Sequence, residues 1–281
     1  MPVKITADST CDLSKELVLK YDIEITPLNV TLGEMTGKDG VDVFPEDIYK
    51  FVENTGKLSK TSAVNIEDYK NVFKKWLDKG YDIVHFCIGS DFSCCYQNAN
   101  LAKQDMGGIY IIDTENLSAG QGLCVMRAAI MAKEGKSAAE IVSECKNMIA
   151  KVEASFVVDT IEYLHKGGRC SSLAAFGANV FHIKPCIEVK DGKMGVAKKY
   201  RGNINRVICK YVEDRLKNRD DIDPGMIFIT HSICEDGLVN KVTELIREYQ
   251  PEIENIFDTD AGATVTTHCG PGTLGVLFVR K

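Results

Sequence analysis

The chain has 281 residues, of which 44% are hydrophobic and 26% are charged, and its formal net charge is −6. These proportions are near the globular average and exclude collagen, coiled coil and extensive disorder. A folded chain of this length buries roughly 70–75% of its unfolded surface, enough for two domains or for one large α/β domain. Because the charge is negative, we expect no nucleic acid partner, and an anion can bind only at a local site.

The cysteines and the apolar segments predict the compartment. Eleven cysteines cannot all pair, and they contain neither a C-x-x-C pair nor zinc-finger spacing. The first residues lack the apolar core of a signal peptide. The apolar stretches are also too short to cross a bilayer, which takes ~20 residues. We therefore predict a soluble cytoplasmic protein with free, buried cysteines, no metal site and no integral membrane segment.

The first half of the chain alternates predicted strands and helices. Short apolar runs predict strands at 3–7, 83–88 and 109–112. Helices are predicted between and after these strands, and their start signals are Asp12 or Ser14, Pro45, Asn65, Ser93, Gly120 and the capping box of Ser137 with Glu140. Alternation of this kind implies a parallel sheet with right-handed crossovers.

The pattern changes after residue 154. A strand is predicted at 155–159 and a short helix at 160–166. The segments 186–190 and 194–200 form a predicted hairpin with Asp-Gly as its turn. A helix, a strand, a second helix and a last strand follow. We therefore predict an α/β protein of two domains. Residues 1–154 form a Rossmann-like parallel sheet with flanking helices, and residues 155–281 form an α+β domain with a mixed sheet.

Small hydroxyl side chains follow the predicted strands of the first half. Parallel sheets bind ligands beyond the carboxyl ends of their strands, and hydroxyls near helix N-termini suit a carboxylate or phosphate. The residues after such strands include Ser9, Ser93 and Thr114, and a further pair, Thr61 and Ser62, lies between two predicted helices. Each one alone is better explained as an N-cap. Their accumulation at one sheet edge favours an anion site.

Three further residues are candidates for binding. His268 lies in a glycine-rich segment predicted as a loop, where it either donates to an anion or is merely buried in a turn. Arg169 follows two glycines and is either an anion or partner contact, or a solvated loop residue. Arg201, at the end of the hairpin, is a weaker candidate of the same kind. The letters G-x-G-x-x-G at 270–275 do not form a dinucleotide motif, because a strand and not a helix follows them.

Taken together, these motifs resemble the DegV family of bacterial fatty-acid-binding proteins, and the resemblance covers the whole chain. The segments that carry it are Asp8-Ser9-Thr10, Thr61-Ser62, Gly89-Ser90-Asp91-Phe92-Ser93, Gly167-Gly168-Arg169 and His268-Cys269-Gly270-Pro271-Gly272. The chain departs from the family pattern after Ser93, where Cys94-Cys95 replaces the expected Gly-Thr. The departure removes a glycine and a hydroxyl near the expected carboxylate, so the choice of ligand stays open.

The resemblance implies a long-chain fatty acid, such as palmitate or stearate, buried between or beneath two domains, and no cofactor. It implies a carboxylate held by Thr61, Ser62 and Ser93, with His268 closing the site. It also implies a carrier without catalysis of its own, which presents the carboxylate to a separate ATP-dependent fatty acid kinase subunit for conversion to acyl phosphate. Arg169 and Arg201 match the positions expected to face that kinase.

Two other classes of function stay open. One is a hydrolase or transferase that uses Asp8, Ser9 and His268, although the sequence contains no recognisable pair of nucleophile and base. The other is a sensor or interaction module that binds no ligand.

Overall fold

The computed structural model describes residues 1–172 and 183–281. The strands, in chain order, are β1 (Val3–Asp8), β2 (Glu24–Thr26), β3 (Asn29–Leu32), β4 (Met35–Lys38), β5 (Lys60–Ser62), β6 (Asp82–Cys87), β7 (Ile109–Asp113), β8 (Val152–Val157), β9 (Ile183–Lys190), β10 (Lys193–Arg201), β11 (Ile222–His231), β12 (Asn255–Asp260) and β13 (Leu274–Arg280). The helices are α1 (Lys15–Lys20), α2 (Pro45–Thr55), α3 (Ile66–Leu77), α4 (Cys95–Ala102), α5 (Ala119–Lys133), α6 (Ala138–Ile149), α7 (Glu162–Gly167), α8 (Ile204–Leu216), α9 (Leu238–Tyr249) and α10 (Ala263–Cys269).

The N-terminal half contains a four-stranded, wholly parallel sheet in the order β2-β1-β6-β7. In β1 and β6, five of six residues are buried, as expected for strands covered on both faces. The predicted parallel sheet is therefore confirmed. The chain leaves β1 for β2 on one side and β6 lies on the other, so a crevice opens beyond the carboxyl ends of β1 and β6.

The C-terminal half contains a six-stranded mixed sheet in the order β10-β9-β8-β13-β11-β12. Only β11 and β12 are parallel among its described pairs. The predicted hairpin is β9 and β10, and its turn residues Asp191 and Gly192 both have positive φ, as a two-residue hairpin turn requires. This sheet confirms the predicted fold class. The domain boundary after residue 154 falls inside β8 and stays a prediction.

Three features differ from the sequence prediction. A small antiparallel sheet, β4-β3-β5, was not predicted, because its strands have three or four residues and are largely polar. Strands β2 and β12 were also missed. The predicted loop around His268 was wrong, since this residue lies in the last turn of α10. Four of the seven residues of α10 are threonine or β-branched valine, which have low helix propensity.

Helix α5 connects the two halves. Eleven of its fifteen residues are buried, so it is apolar on every side, as expected for a helix enclosed by other elements. It packs against β1 and β6 of the parallel sheet and against β8, β11 and β13 of the mixed sheet. Its polar Gln121 accepts a hydrogen bond from Thr10 at 2.9 Å and donates to the Phe86 carbonyl at 3.1 Å. The core therefore continues from one sheet to the other.

The cysteines are all free, as predicted, and eight of the eleven are buried. Cys94 differs from the prediction because it is exposed. Within residues 1–172 and 183–281, no helix combines the length and apolar character needed to cross a bilayer.

Candidate functional site

An apolar cavity lies where the two halves of the chain meet. The space between its lining residues is about 940 Å³ when the open solvent at its mouth is counted. The apolar side chains that line it come from both halves and include Leu28, Ile88, Phe92, Leu117, Phe156, Leu164, Val189, Met194 and Leu277. The parallel sheet contributes the loops after β1 and β6, as its topology predicts. The cavity can therefore accommodate a long apolar group.

The structure brings four sequence-predicted residues to the same cavity. Thr61, Ser62, Ser93 and His268 all line it. Thr61 lies on β5 and His268 on α10, and the Oγ1 of Thr61 is 2.7 Å from the Nε2 of His268. Ser62 is exposed, which places it toward solvent. Three hydroxyls and an imidazole thus line one largely apolar cavity, and two of these groups, Thr61 and His268, are in direct contact.

His268 is uncharged at neutral pH. Burial and, to a smaller extent, the positive charge of Arg169 together lower the pKa of its imidazole to about 4. Its Nδ1 is buried and has no hydrogen-bond partner among the described residues. Gly167 lies directly against this atom, because a Cβ at that position would be 2.5 Å from Nδ1. A neutral imidazole has one N–H and one acceptor nitrogen, so His268 has hydrogen-bonding capacity to spare.

Ser93 is positioned by the start of α4. Its Oγ accepts a hydrogen bond from the backbone N–H of Cys95 at 3.3 Å and donates to the Cys95 Sγ at 3.2 Å. Burial raises the pKa of the Cys95 thiol to about 12, so this cysteine is not a thiolate at neutral pH. Cys95 therefore orients the serine and lacks the character of a nucleophile.

The two candidate arginines lie in different places. Arg169 is exposed, lines the cavity and donates from Nη1 to the Gly167 carbonyl at 2.7 Å. Gly167, whose carbonyl it contacts, lies against the His268 ring, so the charge of Arg169 is near the imidazole. Arg201 is exposed at the end of the edge strand β10 and is not among the described residues that line the cavity.

The residues of the alternative enzyme class do not form a hydrogen-bonded chain in the described structure. The buried Asp8 accepts from the Tyr69 hydroxyl at 2.6 Å and from the Ile88 N–H at 3.0 Å. Ser9 donates to Asp39 at 2.8 Å, and the nearest hydrogen-bonding partner of His268 is Thr61. No histidine therefore contacts the Ser9 hydroxyl among the described residues.

Asp8 also belongs to a buried cluster that was not predicted. Its Oδ1 lies 3.3 Å from the Nε2 of His85, and atoms of Asp8, His85 and Cys87 that could bind a metal lie within 4.8 Å of one another. The other ring nitrogen of His85 is 2.7 Å from the Thr6 hydroxyl. These groups already satisfy one another by hydrogen bonds, so the cluster is explained as part of the core.

Two carboxylates hold the helix that carries His268. The N–H of Gly262 donates to Asp12 at 2.9 Å, and the N–H of Ala263 donates to Asp39 at 2.9 Å. Ser14, the other candidate cap, accepts from Leu17 and begins α1. Asp12 thus caps the start of α10, which lies 250 residues further along the chain. Sequence reasoning missed this role and Asp39 altogether, because no local pattern links residues so far apart.

Asp12 is unusually deeply buried for a carboxyl group. Burial raises its pKa to about 8, against the lowering effects of hydrogen bonds from Ser118 and from the Gly262 N–H. The Ser118 hydroxyl donates to it at 2.6 Å. The start of α10 is therefore held by a group that changes charge near neutral pH.

Known proteins of similar sequence cover the same length as this chain. A DegV domain-containing protein of Clostridium acetobutylicum is 31% identical over 284 residues, which are 99% of each chain. A protein of Thermotoga maritima named fatty acid-binding protein is 31% identical over 98% of this chain and 96% of its own.

Solved structures have the same fold. A DegV family protein from Thermus thermophilus, described by its fatty acid binding, superposes with a TM-score of 0.89 at 27% identity over the whole of both chains. A stearic acid-binding protein from Eubacterium ventriosum superposes with a TM-score of 0.82 at 27% identity, over 99% of this chain and 98% of that one.

A family model matches nearly the whole chain. It is described as "Uncharacterised protein, DegV family", and its match runs from residue 2 to residue 281. The match agrees with the motifs at the strand ends and at His268, and with the two sheets of the fold. The chain therefore belongs to the DegV family.

Proposed function

We propose that this protein binds a long-chain fatty acid, with the hydrocarbon in the apolar cavity and the carboxylate at Thr61, Ser62, Ser93 and His268. The observation that carries the proposal is that one cavity combines long apolar walls with these hydroxyls and the imidazole, of which Thr61 and His268 are in direct contact. The fatty acid binding named for relatives from Thermotoga maritima and Thermus thermophilus supports it.

The energetics favour such a ligand. Burial of hydrocarbon contributes about 0.8 kcal/mol per CH₂, so a chain of about sixteen carbons contributes roughly ten before ordering costs. A carboxylate in the same cavity must be hydrogen-bonded, since an unpaired buried charge is strongly unfavourable. The Thr61–His268 pair and the exposed Ser62 supply donors, and Ser93 supplies another when its hydroxyl turns from the Cys95 sulfur; one side of the carboxylate is left toward solvent.

The carboxylate is then available to a second protein. We infer that the protein is a carrier without catalysis of its own and acts in the cytoplasm. A separate kinase subunit transfers the γ-phosphoryl group of ATP to a carboxylate oxygen, giving acyl phosphate and ADP. The exposure of Arg169 at the cavity favours this proposal, because a guanidinium there can bind a phosphate or a carboxylate of the partner. Arg201 is exposed and is proposed to face the kinase as well.

The binding is tested by extraction and by two variants. Mass spectrometry of the gently extracted protein is expected to find a fatty acid. Thr61→Val and Ser93→Ala are expected to cost ~1.5–3 kcal/mol in binding of palmitate, because each removes a hydrogen bond to a charged group. Thr31→Val, on β3 of the same small sheet but outside the cavity, is the control. Absence of extracted lipid together with no uptake of added palmitate contradicts the proposal.

The carrier role is tested with Arg169→Ala and Arg201→Ala. Both variants are expected to keep bound fatty acid while acyl-phosphate formation by the kinase falls. Loss of lipid from Arg169→Ala with normal turnover per bound lipid instead makes Arg169 a ligand of the carboxylate. Hydrolysis of an activated ester that disappears in Ser9→Ala contradicts the absence of catalysis.

A further inference from the structure

One face of α10 lines the cavity. The residues of the helix on this face are Thr264, Val265, His268 and Cys269. Thr264 precedes His268 by four residues, which is about one turn and ~6 Å along a helix axis. His268, a proposed carboxylate contact, and Thr264 thus line the same cavity about one helical turn apart.

The hydroxyl of Thr264 is buried without a partner. The residue is 4% exposed, and its Oγ1 has no hydrogen-bond partner in the described part of the chain. A buried hydroxyl that is left unpaired is unfavourable, and most such groups in proteins are satisfied. This one belongs to a residue that lines the cavity.

The other buried hydroxyls that line the cavity are already paired. Thr10 donates to Gln121 at 2.9 Å, Ser118 to Asp12 at 2.6 Å and Thr273 to the Cys269 carbonyl at 3.0 Å; Thr230 lies 3.0 Å from the Thr259 hydroxyl, and Ser232 accepts from the Thr273 N–H at 2.9 Å. Their hydrogen bonds explain why they are present. Thr264 differs because its hydroxyl makes no hydrogen bond within the described part of the chain.

Resting on the proposed function, we propose that Thr264 recognises an oxygen atom on the acyl chain, so that the protein selects hydroxylated fatty acids. A hydroxyl both donates and accepts, and so can satisfy Thr264 while the rest of the chain contacts the apolar walls. An extended chain advances at most ~3.6 Å per three bonds. The oxygen therefore belongs about five bonds from the carboxyl carbon, in the half of the chain near His268.

The inference is tested by comparing stearate with 2-hydroxystearate, 6-hydroxystearate and 12-hydroxystearate. The wild-type protein is expected to bind the 6-hydroxy acid best of the three hydroxy acids. Thr264→Val is expected to weaken binding of this acid about tenfold relative to stearate, whereas Thr264→Ser keeps the wild-type ratio. Thr266→Val is the control, because Thr266 lies on the same helix, outside the cavity lining, and donates to the Ala261 carbonyl.

The outcomes separate this inference from the proposed function. An unchanged ratio of the two affinities in Thr264→Val overturns the inference. If Thr264→Val binds stearate and the hydroxy acid more tightly by the same factor, the inference is also overturned, since the Thr264 hydroxyl then binds a water molecule and not the ligand. If stearate and the hydroxy acids all fail to bind the wild-type protein, the proposed function itself fails.

Discussion

Gly167 allows the imidazole of His268 to occupy its position. The nearest atom to a Cβ at Gly167 is the ring Nδ1, at 2.5 Å, which is closer than real Cβ atoms approach a neighbour. Gly167→Ala is therefore expected to displace the imidazole from Thr61 and to weaken fatty acid binding about tenfold, a loss comparable to that of one hydrogen bond to a charged group. Calorimetric titration with palmitate measures the change.

Gly195→Ala is the matched control for this substitution. A Cβ at Gly195 meets no atom within 4 Å, and the residue lies on β10. This variant is expected to bind palmitate with wild-type affinity. Equal affinity in Gly167→Ala and Gly195→Ala contradicts the packing argument.

The charge of His268 gives a second prediction for a single residue. Its folded-state pKa of about 4 lies below the ordinary value of 6.5, because of burial and then of the Arg169 charge. The imidazole therefore contributes stability above pH 6.5, and this contribution is lost as the pH falls toward 4. In lipid-free protein, its Cε1 resonance, assigned with His268→Asn, is expected to keep a neutral shift from pH 8 to pH 5. A titration midpoint near pH 6.5 contradicts the lowered pKa of His268.

At the scale of elements, α10 depends on distant residues. Its composition is poor for a helix, and its first N–H groups are satisfied by Asp12 and Asp39. The Asp12 pKa of about 8 is raised above the usual value of 3.8 by burial. The folded state thus holds a proton that the unfolded state releases between pH 4 and pH 8. Stability is expected to fall as the pH rises through this window, by up to about 1.4 kcal/mol per pH unit.

Asp12→Asn tests this dependence. The amide oxygen still accepts from the Gly262 N–H, but the group no longer titrates. Urea unfolding between pH 4 and pH 8 is expected to show a smaller decline in the variant than in the wild type. Equal slopes in the two proteins mean that Asp12 is not the group that takes up the proton.

Helix α10 also shows which kind of element could not be predicted from the sequence. Local patterns predicted the elements that carry their own signals, such as the Asn65 cap of α3 and the Asp-Gly turn of the β9–β10 hairpin. Helix α10 has no side-chain cap of its own, and its stabilising carboxylates lie more than 200 residues away. Strand β5 has three residues, and its pairing with β3 determines its conformation. Elements that are stabilised by tertiary contacts leave no local pattern.

For the whole molecule, local sequence patterns predicted the two larger sheets, whereas a buried ligand cavity was expected only from the family resemblance. Apolar runs predict strands because a strand that is buried on both faces needs apolar side chains at consecutive positions. The cavity walls, in contrast, combine residues such as Leu28, Phe156 and Leu277, whose proximity follows from how the two sheets pack around α5. Burial patterns identify core residues without showing which of them surround a space.

Because the cavity walls come from both halves, a ligand in it is expected to stabilise the whole chain. Anything that binds only the folded state adds RT ln(1 + [L]/Kd), about 2.7 kcal/mol at one hundred times Kd. At roughly 2–4 °C per kcal/mol for large domains, palmitate at that concentration is expected to raise the Tm of lipid-free protein by about 5–10 °C. Differential scanning calorimetry measures the shift. Hexanoate has the same carboxylate but little hydrocarbon, and methyl palmitate has the hydrocarbon but no charge, so both are expected to give smaller shifts. An equal shift with hexanoate means that the apolar walls do not hold the chain.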